Sequence, residues 1–404
     1  MSMILGIDVG TSGTKAIVVT PSGTVAGVGH GPYAPHLPRS GWSEQPPDDW
    51  WNGVRVAIRR ACTDAACDPN EIDAVGLAGQ MHGLVAIDGS QRPIRPAILW
   101  NDGRSQAICD RTEAEIGVDR LMAATGNRML AGFTAPKLLW MREHEPDAFA
   151  RITKVLLPKD WVRWRLTGEL ATDVSDASGT AVFDCERRRW STDLLDELDL
   201  PRSWWPDALE STQLTGRVTA SAAEATGLRA DVPVVAGAGD QAASAVGTGI
   251  LREGTVGAGL GTSGVVFAPI DSWRPMATGE LHAFCHAVPD TWHLMGVMLS
   301  GAGCLDWFRS ALTPDLDGDD DAFEEIERLA AGIPAGAGIW TAGASFRDCS
   351  ACQSGRRPPV RGPPPLAGPL PADAEAPARS SPPESCSCRP QAAFSCQTLP
   401  TCSP

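Results

Sequence analysis

The chain has 404 residues and a formal net charge of −15. This length is sufficient for two sizeable α/β domains, each with its own core. The negative charge argues against a nucleic acid or an anionic membrane surface as a partner, because both require a basic face. No apolar run approaches the roughly 20 residues of a spanning helix, and residues 4–7 are typical of a core strand rather than a signal peptide. We therefore expect a cytoplasmic protein, and a homodimer stays open as its assembly.

Short apolar segments separated by Gly, Ser and Thr begin the chain. Residues 4–9, 15–20 and 25–28 predict a three-stranded antiparallel meander, followed by a helix over 50–63 and a strand over 74–78. Residues 105–165 are helical in pattern, and a strand over 232–237 runs into a further helix. The tetrapeptide Gly-Thr-Ser-Gly at 10–13 recurs at 261–264, each time between apolar strands. This repeat predicts duplicated domains that face one another.

The two Gly-Thr-Ser-Gly hairpin tips are candidate phosphate-binding loops. Their small residues let backbone N–H groups approach a polyanion closely, and their hydroxyls add donors. Ordinary hairpin turns, which also favour glycine and serine, are the alternative for either tip alone. The pair favours nucleotide binding, and its predicted phosphate contacts are Gly10, Thr11, Ser12, Gly261, Thr262 and Ser263.

Two carboxylates stand at the ends of predicted strands. Asp8 precedes the first tip, where it would repel a nucleotide unless a cation lay between them, so we expect it to coordinate Mg²⁺, through water. Asp240 follows the strand over 232–237, and ligands of open α/β sheets collect at the carboxyl ends of strands. It is therefore a candidate base that accepts a hydroxyl proton during phosphoryl transfer. A turn cap for Asp8 and a helix N-cap for Asp240 are the alternatives.

Two polar loops could bind a small polyol. In the first loop, at 79–83, two glycines flank Gln80, Met81 and His82. The amide and the imidazole can bond hydroxyl groups, and the thioether can cover an apolar edge of the polyol. The second combines an indole ring with an amide and a carboxylate, a set that also suits a turn. The candidate side chains are Gln80, Met81, His82, Trp100, Asn101 and Asp102.

Residues 341–404 differ in composition from the rest of the chain. They are rich in proline and contain no Trp, His or Lys, and their few apolar residues predict disorder. The pairs Cys349–Cys352 and Cys386–Cys388 are poor zinc ligands, because no histidine and no second matching pair accompany them.

The motifs at 8–12, 79–83, 239–243 and 260–264 together resemble those of the FGGY carbohydrate kinases. Further stretches at 42–45, 97–104, 132–140, 155–160 and 285–287 are similar to members that phosphorylate xylulose. The resemblance implies an α/β fold of the actin-like ATPase type, with two ribonuclease-H-like domains. It also implies phosphoryl transfer from ATP to D-xylulose with Mg²⁺, giving D-xylulose 5-phosphate. By the same resemblance, Met81 and His82 contact the sugar, Asp240 is the catalytic base, and Asp8 lies near Mg²⁺ and the phosphates.

On this basis we divide the chain into three parts. Residues 1–246 form an N-terminal domain with the sugar site and the base, 247–340 a partial C-terminal domain with the second hairpin, and 341–404 a tail outside the family pattern. The loops that hold adenosine in the family do not follow Trp340, which we interpret as a frameshift or truncation. Two alternatives stay open: a non-catalytic remnant that still binds sugar, and a kinase for ribulose, glycerol or gluconate.

Overall fold

The structure is a computed structural model that describes residues 3–260, 263–298, 301, 304–305, 308–309 and 322–331. Gly261 and Thr262 of the second predicted tip lie outside the described residues, as do the proline-rich tail at 341–404 and its cysteines. The predictions made for them stay predictions.

The described residues form nineteen strands and eleven α-helices. The strands are β1 Met3–Val9, β2 Gly13–Val19, β3 Val25–Pro32, β4 Glu44–Gln45, β5 Ile72–Gly79, β6 Val85–Ile87, β7 Ala97–Ile98, β8 Lys154–Leu156, β9 Ala171–Asp173, β10 Phe183–Asp184, β11 Arg189–Trp190, β12 Asp207–Leu209, β13 Leu214–Arg217, β14 Pro233–Val235, β15 Ala238–Gly239, β16 Gly257–Leu260, β17 Gly264–Ile270, β18 His282–Cys285 and β19 Trp292–Met298. The helices are α1 Pro47–Asp64, α2 Gln106–Ile116, α3 Val118–Thr125, α4 Thr134–His144, α5 Pro146–Phe149, α6 Pro158–Thr167, α7 Val174–Ala177, α8 Thr192–Glu197, α9 Ala220–Thr226, α10 Asp240–Gly247 and α11 Ala322–Ala330.

The first sheet contains the predicted meander. Its strand order is β13-β14-β5-β1-β2-β3, with β15 paired to β5. β1, β2 and β3 pair antiparallel, whereas β5 is parallel to β1 and β14 and β15 are parallel to β5. Alternate residues of β1 are buried, and α1 packs beside them through Trp50, Val54 and Ile58 at helical spacing. The meander, the helix over 50–63 and the strand over 74–78 are confirmed.

The helical region predicted over 105–165 is interrupted. Proline stands at the first position of both α5 and α6, and the strand β8 lies between these helices. Gly117 ends α2, and Gly126, with φ +75°, ends α3. The strand predicted over 232–237 is shorter in the structure, where β14 covers only Pro233–Val235. Gly237, with φ +81°, turns the chain before β15 begins.

The second sheet is antiparallel, in the order β16-β17-β19-β18. Leu260 pairs with Gly264 on either side of the second predicted tip, as Val9 pairs with Thr14 around the first, so the strands predicted to flank both tips are confirmed. The edge strand β18 packs against the N-terminal part of the chain. Asn127 exchanges side-chain hydrogen bonds with both backbone groups of Ala283 (2.9 and 3.0 Å). None of the helices in the described ranges is long and apolar enough to cross a bilayer.

Candidate active site

Three parallel strands of the first sheet end at one edge. Val9 of β1 pairs with Gly79 of β5, and Gly79 pairs with Gly239 of β15. The first hairpin tip, the loop at 80–83 and Asp240 follow directly after these three residues. The register therefore gathers the predicted phosphate loop, sugar loop and base at the carboxyl edge of the sheet.

Side chains from three separate segments fix the first hairpin tip. Gln45 donates to the Thr11 carbonyl (2.6 Å), and Gln80 donates to the Gly10 carbonyl (3.1 Å). The Trp100 indole donates to the Thr11 hydroxyl (2.9 Å), which donates in turn to Oε1 of Gln80 (3.3 Å). Gln80 and Trp100, both predicted sugar contacts, thus brace the tip. Of the remaining tip residues, Ser12 is exposed.

The loop after Trp100 is organised around a buried carboxylate. Asp102 accepts hydrogen bonds from the backbone N–H groups of Ser43 (2.6 Å) and Arg104 (2.9 Å), and from the Arg104 guanidinium (2.8 and 2.9 Å). These bonds occupy both oxygens of Asp102, whereas the neighbouring Asn101 is exposed.

His82 has a fixed tautomer and a strained backbone. Its φ of +69° lies in the left-handed region, which few side chains adopt. Nδ1 lies 2.8 Å from the Gly179 carbonyl, an acceptor, so Nδ1 carries the proton and Nε2 presents a lone pair. Only glycine at 179 permits this contact, because a Cβ there would lie 2.1 Å from Nδ1. Burial lowers the pKa of His82 to about 3, so the ring is neutral.

Residues from distant parts of the chain enclose the His82 ring. Phe133 stacks on it at 4.8 Å between centroids, and Phe284 of β18 lies at 5.9 Å. Lys137 is fully buried and donates to the carbonyls of His82 (2.8 Å) and Gly132 (2.5 Å). Burial lowers the pKa of Lys137 to about 7. The sugar loop is thus held through its backbone and walled by aromatic rings.

Asp240 is the first residue of α10, and Gly239 rather than Asp240 occupies the N-cap. One carboxylate oxygen accepts a hydrogen bond from the N–H of Gln241 (2.7 Å). Burial, and then the charge of Asp8, raise the pKa of Asp240 to about 7. Met81 lies against the preceding residue, since a Cβ on Gly239 would be 2.8 Å from Met81 Cγ. A carboxylate with this pKa can accept a proton near neutral pH.

Asp8 lies opposite Lys15 in the register of β1 and β2. Burial raises its pKa, and the Lys15 charge opposes that effect. Its buried Oδ1 has no hydrogen-bond partner among the described residues. An orphaned carboxylate oxygen fits a hard cation such as Mg²⁺. No cluster of three or more His, Cys, Asp or Glu side chains in the described ranges could hold a metal ion alone, so water or phosphate oxygens would complete the coordination.

A cavity of about 530 Å³ lies against the first sheet, over residues of β1, β2 and β5. Its lining is mainly apolar and includes Gly6, Ile17, Gly76 and Val246, with Asp8 at its boundary. Met81, His82 and Asp240 do not line it, so it is separate from the predicted sugar loop.

Several residues that build the site were not singled out from the sequence. Lys137 supports His82, and Lys159 of α6 lies in a buried ion cluster behind β5 and β15. The chain has only four lysines, and these two are fully buried. Both lysines lie in stretches that resemble the family, 132–140 and 155–160, and the scarcity of lysine was a further signal that could have singled them out.

Comparison with known proteins bears on the family and the fold of the chain. Residues 3–247 match the model of the N-terminal domain of the FGGY family of carbohydrate kinases. The chain belongs to this family. Its architecture is the actin-like ATPase fold of sugar kinases, as expected from the sequence. It is 46% identical over 305 residues to the xylulose kinase of Escherichia coli strain K12, covering 76% of this chain and 62% of that protein.

Two further similarities involve the same enzyme class. The xylulose kinase of Bacillus subtilis strain 168 is 37% identical over 337 residues, covering 83% of this chain and 66% of the relative. The crystal structure of xylulose kinase from Rhodospirillum rubrum superposes with a TM-score of 0.76 at 30% identity, covering 83% of this chain and 68% of that one. The chain spans about 62% of the length of the first curated relatives that it matches.

Proposed function

We propose that this protein transfers the γ-phosphoryl group of ATP to D-xylulose, giving D-xylulose 5-phosphate. The observation that carries the proposal is the pairing of Gly79 with Gly239. It sets the sugar loop Met81–His82 beside Asp240, whose pKa of about 7 suits a general base. The names of the curated relatives support xylulose as the substrate.

In this mechanism each residue has a defined task. Nε2 of His82 accepts a hydrogen bond from a sugar hydroxyl, because Nδ1 is committed to Gly179. Met81 covers an apolar edge of the sugar. Asp240 takes the proton of the C5 hydroxyl as that oxygen attacks the γ-phosphorus in line. The first tip, fixed by Gln80, Gln45 and Trp100, presents its backbone to the phosphates.

Mg²⁺ bound near Asp8 would neutralise charge on the transferred phosphoryl group. The unpartnered Oδ1 of Asp8 supports this position for the ion.

A reducing cytoplasmic location is supported by five thiols that form no disulfide: Cys62, Cys67, Cys109, Cys185 and Cys285.

The proposal is tested by ADP release coupled to D-xylulose on purified protein, with ribulose, glycerol and gluconate as competing substrates. We expect turnover with xylulose that rises with pH to a plateau above about 7, as Asp240 loses its proton. Asp240→Asn should lower kcat by roughly 10²-fold or more, because a general base contributes at least that factor. Binding of xylulose without turnover would instead support a non-catalytic remnant. Faster turnover of another sugar would identify that sugar, rather than xylulose, as the substrate.

A further inference from the structure

A buried ion cluster lies behind the strand ends that carry the site. It consists of two cations and three carboxylates, all with fully buried side chains: Lys159, Asp160, Arg163, Asp173 and Asp176. Enclosing charges costs free energy unless each finds a partner, so such a cluster is weak evidence for stability alone. Its position behind these strand ends indicates a role in the function of the site.

A series of contacts leads from this cluster to Gly239, the residue before the proposed base Asp240. The Lys159 ammonium lies 2.9 Å from Oδ1 of Asp173. The other oxygen, Oδ2, accepts a 2.5 Å hydrogen bond from the Ser175 hydroxyl. That hydroxyl in turn accepts the backbone N–H of Gly239 (3.1 Å). Since Ser175 has a single O–H, its two bonds have a fixed direction.

The same lysine also contacts the strand that leads to the sugar loop. The start of the Lys159 side chain packs against Gly79, the last residue of β5. Gly79 pairs with Gly239, and Gly239 packs against Met81. A buried cation thus ties together the backbones that precede Met81 and Asp240.

We propose that Lys159, Asp173 and Ser175 form a positioning relay that fixes Gly239, and through it places Asp240 against the sugar loop. The relay rests on the proposed function, because only phosphoryl transfer gives Asp240 its catalytic task. None of the three residues touches the reacting atoms in this scheme. Each acts through the next, and a displacement of about 1 Å at a reacting group can cost roughly 10²-fold in rate.

The chain offers a matched control for this relay. Ser211 donates to the same Asp173 oxygen (3.3 Å) and is also buried, but its hydroxyl has no bond to Gly239. We expect Ser175→Ala to lower kcat about tenfold with little change in the KM for sugar. Ser211→Ala should keep kcat within about twofold. Equal losses in the two variants would overturn the relay, since they would report only the support of Asp173.

A second readout does not depend on turnover. In spectra of protein carrying ¹³C-methyl methionine, the Met81 methyl resonance should shift in Ser175→Ala and stay in place in Ser211→Ala. If Ser175→Ala does not fold, Ser175→Cys takes its place in both measurements, since it keeps the shape of the side chain, enlarges it slightly and weakens the acceptor. Wild-type protein that phosphorylates none of the sugars would refute the proposed function while leaving this readout intact. An unshifted Met81 resonance in the Ser175 variant would refute the relay itself.

Discussion

The carboxylate of Asp240 should make the folded protein less stable as it ionises. Its pKa is raised from 3.8 to about 7 by burial and by Asp8, so the folded state holds this proton more tightly than the unfolded state. The stabilising contribution is therefore complete below about pH 4 and is lost as the pH rises to about 7. A difference of this size corresponds to roughly 4 kcal/mol, which solvent access at the partly exposed side chain reduces to roughly 2–3 kcal/mol.

Asp240→Asn removes the ionisation and retains an oxygen for the Gln241 N–H. The variant should match the wild type near pH 4 and exceed its free energy of unfolding by roughly 2–3 kcal/mol at pH 8. Urea unfolding followed by tryptophan fluorescence, without Mg²⁺ or nucleotide, measures this difference at each pH. Ser90→Ala, at an exposed turn position and without a change of titratable group, is the control and should give a difference that does not vary with pH. A pH-independent difference for Asp240→Asn would refute the reasoning.

Two other substitutions test the supports of the site. His82→Val should lower the free energy of unfolding by roughly 2 kcal/mol more than His82→Asn, because a β-branched residue is strained at a φ of +69° whereas Asn tolerates it; equal stability in urea unfolding would contradict this. Lys159→Met should lower the free energy of unfolding by about 3–5 kcal/mol, because it leaves three buried carboxylates with Arg163 as their one remaining cation in the cluster. A loss below about 1 kcal/mol would show that the carboxylates become neutral instead.

The sequence predicted the parts of the fold that local patterns determine. The meander alternates buried and exposed residues, and α1 repeats its apolar residues at helical spacing, so each element is visible within its own segment. The helical region over 105–165 was less well predicted. Its prolines and glycines mark helix ends, but apolar periodicity continues across them.

The candidate site was predictable only where a motif follows a strand. Met81, His82 and Asp240 follow strand ends, Asp8 is the residue before the end of β1, and the strand register brings their segments to one edge. The enclosure of His82 by Phe284 could not be predicted, since about 200 residues separate them and only the packing of β18 joins them. Likewise, Lys159, Asp173 and Ser175 come from separate elements, and nothing in each local sequence indicates that all three are buried together.

The pairing of Gly79 with Gly239 also has a consequence for folding. These two residues lie 160 positions apart in the chain, and parallel pairing over such a separation closes a large loop before it gains contacts. We therefore expect the sugar loop to form early with β1 and β5, and Asp240 to join it later, once the intervening helices have packed. Binding of sugar between Met81–His82 and Asp240 would then report that the whole N-terminal part has folded, whereas tryptophan burial around α1 would report an earlier event.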